Sequence, residues 1–340
     1  MDDTTASGQL LISGESLHLP SLACSTTAKV NPDYPTIYEH NAAWVMAFLP
    51  FADPESLGRM LEHRYPLWES MVFSVGLPER VAHSSCVTSL MFEVDDVALL
   101  QRGLFDEVDA DWESDQHPYG RAFHGIWSTL HARMPEGVYR RYLADWQNWF
   151  AGAQRENEFR TTGQVPDLET YLAVRRSNVG LRPYITCIEY VLDLDLTQDL
   201  ERDEELAAVK DLAVEHAMLV NDIYSARWEC FNGDYFNVVA TLLRAQGKTL
   251  QEAVDESAAM VERADARLAD AVATLRRRYG SAGPKGRAIS AYLDGIGSFC
   301  AGNLRWSCET SRYNGTGYGW NGLRTGTVTI HPERTVIAAG

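Results

Sequence analysis

Asn221, Ser225 and Glu229 recur at a spacing of four in the stretch VNDIYSARWECFNGDYFNVV, and the apolar lead-in LAAVKDLAVEHAMLV predicts a helix running through them. At about 100° and 1.5 Å per residue they share one face, within about 80° of arc and about 12 Å of axis. Their side chains offer an amide oxygen, a hydroxyl and a carboxylate. That is a hard oxygen set, suited to Mg2+ and poorly suited to zinc. Such a site stays open, because Mg2+ retains waters and leans on substrate phosphates to complete its octahedron. A solvated helix face accounts for the same three residues. Leu219, Val220 and Ile223 make this helix largely apolar, however, and oxygens carried into a packed region need partners.

Three other stretches carry related chemistry. Asp95 and Asp96 interrupt an apolar helix containing Leu90, Met91, Phe92, Val94, Val97 and Leu99. Adjacent acids in such a setting repel when both ionise, so they call for cations or a shared proton. Two helices presenting carboxylates across a cavity can hold divalent ions, and such a cluster binds diphosphate. Arg175 and Arg176 end the run YLAVRR before a break, SNVG, and their faces lie about 100° apart, so one can point inward. Arg312 and Tyr313 set a guanidinium fork beside a phenol, both donors to phosphate oxygens.

Composition narrows the class. The chain has 340 residues, 45% of them apolar, enough to bury one large core. Net charge is −17 with no long basic patch, which argues against nucleic acid and against anionic membranes as partners. An anionic substrate would need metal ions or a few placed arginines. No run is long enough to span a bilayer, the start MDDTTASG lacks the features of a secretory signal, and the six cysteines show no zinc spacing. A cytoplasmic protein with reduced thiols is expected.

The elements that must position these residues are helices. Apolar residues recur at three and four from Ile37 to Phe48, in SLGRMLEHRYPLWE, and from Glu79 into an acidic turn near Asp109 to Asp115. The pattern returns over Tyr119–His131, Tyr139–Phe159, Asp167–Arg176, ITCIEYVLDL, Glu204–Glu229, Phe236–Ala245, Leu250–Tyr279 and Ala288–Trp306. Gly180 and Pro183 punctuate the run between two of them. The fold class is all-α, a single domain over 34–313 with too many helices for a four-helix bundle. Residues 1–33 are expected as a flexible or extended lead and 314–340 as a Gly/Thr-rich flexible tail. An exposed apolar helix face would support a homodimer.

The run N-D-I-Y-S-A-R-W-E followed by G-D-Y-F-N is similar to the second metal-binding motif of bacterial class I terpene synthases, and Asp95-Asp96 resembles their aspartate-rich motif. The resemblance implies metal ligation by Asp95, Asp96, Asn221, Ser225 and Glu229. It places the diphosphate-sensing arginine 46 positions before the motif's Asn, at Arg175. It puts the linker and effector break at Asn178, Val179 and Gly180, where a carbonyl faces substrate. Arg312-Tyr313, preceded by Trp306, matches the family's Arg-Tyr pair. Two positions depart from the pattern: Leu99 and Leu100 stand where a third acid usually follows, and Trp228 stands where a Lys often precedes the final Glu.

What the resemblance implies is a helical bundle around a central cavity that binds three Mg2+ ions, completed by the substrate's diphosphate. The activity expected is ionisation of a linear prenyl diphosphate, farnesyl diphosphate being favoured, and cyclisation to a terpene hydrocarbon or alcohol. Phe92 and Trp306, among 9 Trp, 15 Tyr and 11 Phe, are candidates for a cation-stabilising wall. A diterpene cyclase acting on geranylgeranyl diphosphate is one alternative. A non-catalytic prenyl-diphosphate-binding or interaction protein, suggested by Leu99, Leu100 and Trp228, is another. A chain-elongating synthase would carry two full acidic motifs.

Overall fold

The computed structural model describes residues 16–100, 118–162, 164–231, 235–314 and 326–329, with the backbone alone for 95–100, 228, 230–231, 314 and 328–329. The described chain is helical apart from one small sheet, as the periodicity predicts. Helices α1 (Tyr34–Phe48), α2 (Pro54–Glu62), α3 (Tyr65–Val72) and α4 (Pro78–Leu100) are followed by α5 (Gly120–Arg133) and α6 (Glu136–Thr162). Then come α7 (Leu168–Asn178), α8 (Arg182–Val191), the short α9 (Thr197–Arg202) and α10 (Glu204–Phe231). The last are α11 (Val238–Gln246), α12 (Leu250–Tyr279), α13 (Gly283–Glu309) and the single turn α14 (Ser311–Asn314). No helix among the described residues is long and apolar enough to cross a membrane.

Local chemistry sets several boundaries. Asp53, Asp167 and Asn237 each cap a helix by accepting a backbone N–H, from Ser56, Thr170 and Val239. Thr249 and Glu252 form a reciprocal capping box at the start of α12. Proline stands in the first turn of α1, α2, α3, α8 and α13, where its missing N–H leaves no bond unmade.

Helices α4 and α10 form the middle of the molecule. In α10, Val214, Ala217, Met218, Leu219, Val220 and Ile223 are all buried, so the helix is covered on every side. It packs against α7, α8, α11, α12 and α13, while α4 packs against α1, α3, α5 and α8. Several polar groups in this interior are paired across elements. Trp68 Nε1 donates to Asn303 Oδ1 at 3.1 Å and Asn303 Nδ2 to the Ala217 carbonyl at 3.1 Å, joining α3, α13 and α10. The buried Glu189 of α8 accepts from Arg141 at 2.6 Å and from the Leu196 N–H at 2.7 Å. Close helix approach needs one glycine in particular: a Cβ on Gly302 of α13 would fall 2.5 Å from the Met71 carbonyl carbon.

The segments expected as a flexible lead and a flexible tail meet. Ser16–Leu19 (β1) pairs antiparallel with Gly326–Thr329 (β2), Ser16 opposite Thr329 and Leu19 opposite Gly326. Leu17 and Leu19 turn inward, and His18 exchanges two backbone hydrogen bonds with the Gln251 side chain of α12, at 2.9 and 3.0 Å. Helix α4 is described to Leu100; the acidic turn expected after it lies outside the described residues. Cys24, Cys86, Cys187, Cys300 and Cys308 form no disulfide.

Candidate functional site

The site is built on the C-terminal half of α10, where Asn221, Ser225 and Glu229 occupy one face of a continuous helix. Arg175, near the end of α7, reaches across to it. Its Nη2 donates to Asn221 Oδ1 at 2.7 Å and its Nε to Asp222 Oδ1 at 2.9 Å. On the other side, Asn221 Nδ2 donates to the Tyr313 hydroxyl at 2.7 Å. Arg175, Asn221 and Tyr313 thus form one hydrogen-bonded row drawn from α7, α10 and α14.

Asp222 anchors that row. It is fully buried, and besides Arg175 it accepts from the Tyr171 hydroxyl and from the Val238 N–H at 3.2 Å. Burial pushes its carboxyl above the usual range, against the pull of Arg175 and the hydrogen bonds. Burial also opposes the charge on Arg175, but Asp222, Tyr171 and Glu229 more than offset it and hold the guanidinium protonated. Asn237, the cap of α11, donates from Nδ2 to the Asp222 carbonyl at 2.8 Å and to Glu229 Oε2 at 2.7 Å. One amide therefore ties the end of the metal-motif helix to the start of the next.

Arg312 lies on a different surface from its neighbour. Its Nη1 donates to the Tyr65 hydroxyl at 3.1 Å, and its guanidinium sits 4.6 Å from the centre of the Phe92 ring. Tyr65 stacks on Phe92 at 4.3 Å, and Trp306 meets Tyr65, Phe92 and Tyr313 at 5.6 to 6.4 Å. Phe92 precedes Asp95 by one helical turn, so this cluster joins the acid-bearing end of α4 to the C-terminal Arg-Tyr pair. The side chains of Asp95 and Asp96 lie outside the described residues.

The break after α7 is held by α6. Gly180 adopts φ +72°, and Trp149 closes over it, donating from its indole to the Asn178 carbonyl at 2.8 Å. The Asn178 side chain turns to Glu156, which also pairs with Arg160 at 2.5 Å. Val179 caps α7, its N–H bonded to the Arg175 carbonyl at 3.0 Å. The structure therefore ties Asn178 to α6 and makes no hydrogen bond from it to Asn221, Ser225 or Glu229 among the described residues.

The donor set of α10 fits a hard divalent ion. It contains an amide, a hydroxyl and a carboxylate oxygen at successive turns, with no thiol or imidazole among them. Among the described residues Ser225 Oγ makes only a long 3.5 Å contact, to the Asp222 carbonyl, which leaves it able to ligate. Sequence reasoning passed over Tyr171, Asp222, Asn237 and Tyr65. Asp222 had a signal, its place beside Asn221 on a buried helix; the others are generic residues until the fold brings them in.

Residues 86–266 match the model of terpene synthase family 2, C-terminal metal binding. The chain is 27% identical to an (E)-2-epi-beta-caryophyllene synthase of Selaginella moellendorffii, over 94% of this chain and 92% of that protein. It is 33% identical to pristinol synthase of Streptomyces pristinaespiralis, over 64% of this chain and 61% of that one. The fold matches a linalool/nerolidol synthase of Streptomyces clavuligerus crystallised with 2-fluorogeranyl diphosphate, with a TM-score of 0.74 at 19% identity, covering 82% of this chain and all of that one. Hedycaryol synthase in complex with nerolidol superposes with a TM-score of 0.74 at 21% identity, over 85% of this chain and 99% of that one. With a metal-binding family model over more than half its length and the same helical architecture, the chain belongs to the terpene synthase family, in its class I form.

Proposed function

We propose that this protein ionises a linear prenyl diphosphate with the help of three Mg2+ ions and cyclises the resulting cation to a terpene hydrocarbon or alcohol, with farnesyl diphosphate as substrate. The observation that carries this reading is the row Arg175–Asn221–Tyr313, which gathers a guanidinium, a metal-motif amide and a phenol from three separate elements. Farnesyl diphosphate is favoured because several relatives are named as sesquiterpene synthases, among them one of Postia placenta, 29% identical over 67% of both chains.

Asn221, Ser225 and Glu229, together with Asp95 and Asp96 of α4, would hold the ions, which supply positive charge against the leaving diphosphate. Arg175, Arg312 and Tyr313 act on the same group as donors. Burial pushes the Tyr313 phenol up to about 12, so it keeps its proton to donate. Preorganised donors aimed at charge that develops on the leaving group lower the barrier without reorganising. Asp222 and Tyr171 position Arg175. Phe92, Tyr65 and Trp306 present apolar faces beside this region, suited to exclude water and to stabilise a passing cation.

The test is incubation of the purified protein and Mg2+ with geranyl, farnesyl and geranylgeranyl diphosphates separately, following diphosphate release and identifying products by mass spectrometry. Farnesyl diphosphate should give a cyclic product, lost with EDTA and in Asn221→Ala or Glu229→Gln. Turnover of geranylgeranyl diphosphate alone would make the protein a diterpene cyclase. Absence of turnover with all three would favour binding without catalysis.

A further inference from the structure

On another face of α10, donors of a different kind converge where the N-terminal segment crosses the bundle. The Cys24 sulfur, a ring nitrogen of His216 on α10 and a carboxylate oxygen of Asp265 on α12 lie within 4.8 Å of one another. His216 is 0% exposed, and its Nε2 stands 2.8 Å from the Ala23 carbonyl. A carbonyl only accepts, so Nε2 carries the ring proton and Nδ1 keeps its lone pair. Among the described residues no group hydrogen-bonds to Nδ1. A buried acceptor left in that state costs about 1–3 kcal/mol, which a ligand at the ring would offset.

We infer that Cys24, His216 and Asp265 form a second metal site, for a Zn2+-like ion with water in the fourth position. The mixed sulfur, nitrogen and oxygen set is the borderline type that zinc takes, and it contrasts with the oxygen-only set at Asn221, Ser225 and Glu229. Tetrahedral bonds of about 2.0–2.3 Å place ligand atoms about 3.3–3.8 Å apart. Closing from 4.8 Å asks for at most about 1–1.5 Å, within reach of a partly buried cysteine that lies outside any helix or strand. The supporting contacts are those of a held site. The Asp265 carboxylate accepts from the Ser25 N–H at 2.8 Å and from the Ser25 hydroxyl at 2.6 Å, and the Ala23 carbonyl fixes the imidazole. Cys300, the neighbouring thiol on α13, directs its S–H toward the Ala213 carbonyl at 3.9 Å and stays outside the set.

The role is a staple. Ala23, Cys24 and Ser25 are consecutive and would be tied through one ion to α10 and α12, so metal affinity adds to the stability of the folded chain.

The probe is Co2+, titrated into chelator-stripped full-length protein with Mg2+ in excess and no prenyl diphosphate present. A single equivalent should give a thiolate-to-cobalt charge-transfer band with tetrahedral visible bands, and Zn2+ should bleach both. Cys24→Ser should remove the charge-transfer band while far-ultraviolet circular dichroism stays unchanged, and Asp265→Asn should weaken Co2+ binding by roughly tenfold or more. Zn2+ should raise Tm of the stripped parent but not of Cys24→Ser. A weak six-coordinate spectrum that Mg2+ competes away, or the same charge-transfer band in Cys24→Ser, would overturn the site. With no substrate in the assay, either result leaves the terpene synthase reading where it stands.

Discussion

The Tyr313 hydroxyl accepts a 2.7 Å hydrogen bond from Asn221 Nδ2, so a residue near the C-terminal end of the bundle touches the first member of the metal motif. The contact holds the Asn221 amide in one orientation, with its oxygen toward Arg175. Tyr313→Phe removes that acceptor and, under the proposed function, a donor to diphosphate. Loss of one oriented donor costs about 100- to 1,000-fold in turnover, and we expect the lower end of that range because Arg175 and Arg312 remain. Stability should fall by only about 1 kcal/mol. Steady-state kinetics paired with thermal melts check the separation.

Arg175 uses two nitrogens on two adjacent residues, Asn221 and Asp222. Lysine offers a point charge and cannot span both. Arg175→Lys should fold and lose at least about tenfold in kcat/KM, since each 1.4 kcal/mol of lost transition-state binding is a factor of ten. Asp222→Asn leaves the guanidinium buried without its counter-charge, a change that costs about 3–5 kcal/mol. A Tm drop larger than that of Arg175→Lys is the expected reading.

Glu69 is completely buried on α3, accepting from Thr88, and burial pushes its carboxyl up to about 8 from an ordinary 4.5. The folded protein therefore keeps this proton where the unfolded chain has lost it. Between about 4.5 and 8 the unfolded state binds fewer protons, so stability falls as pH rises, by up to about 1.4 kcal/mol per unit. The contribution is whole below 4.5 and gone above 8. Glu69→Gln carries no such proton. The stability difference between parent and variant, measured by denaturant titration at several pH values, should move in favour of the variant across that window.

Gly180 takes φ +72° with Trp149 over it, and an added Cβ would stand 3.2 Å from Trp149 Nε1. A left-handed conformation costs a residue with a Cβ about 1–2 kcal/mol. Gly180→Ala should destabilise by about that amount and shift tryptophan emission, because Trp149 must give by a few tenths of an ångström where its indole bonds the Asn178 carbonyl.

Much of the fold was legible because its signals are local. Apolar residues at three and four marked α1, α6, α10, α12 and α13 to within a few residues, and Gly180 with Pro183 marked the gap between α7 and α8. The pairing of Ser16–Leu19 with Gly326–Thr329 was not legible. Each strand is four residues long, and the register is chosen by contacts with the bundle and with each other, hundreds of positions apart.

The sequence by itself determined the helical class, the central helix and the face on which Asn221, Ser225 and Glu229 stand, since a 3.6-residue period converts spacing into direction. Tertiary structure alone decided that Arg175 bonds Asn221 and Asp222, that Arg312 turns to Tyr65 and Phe92 while Tyr313 turns to Asn221, and that Asn178 faces Glu156. The reason is burial. An ionic or amide group enclosed by packed helices must take whichever partner the neighbouring element presents, and which element that is depends on crossings between helices far apart in the chain.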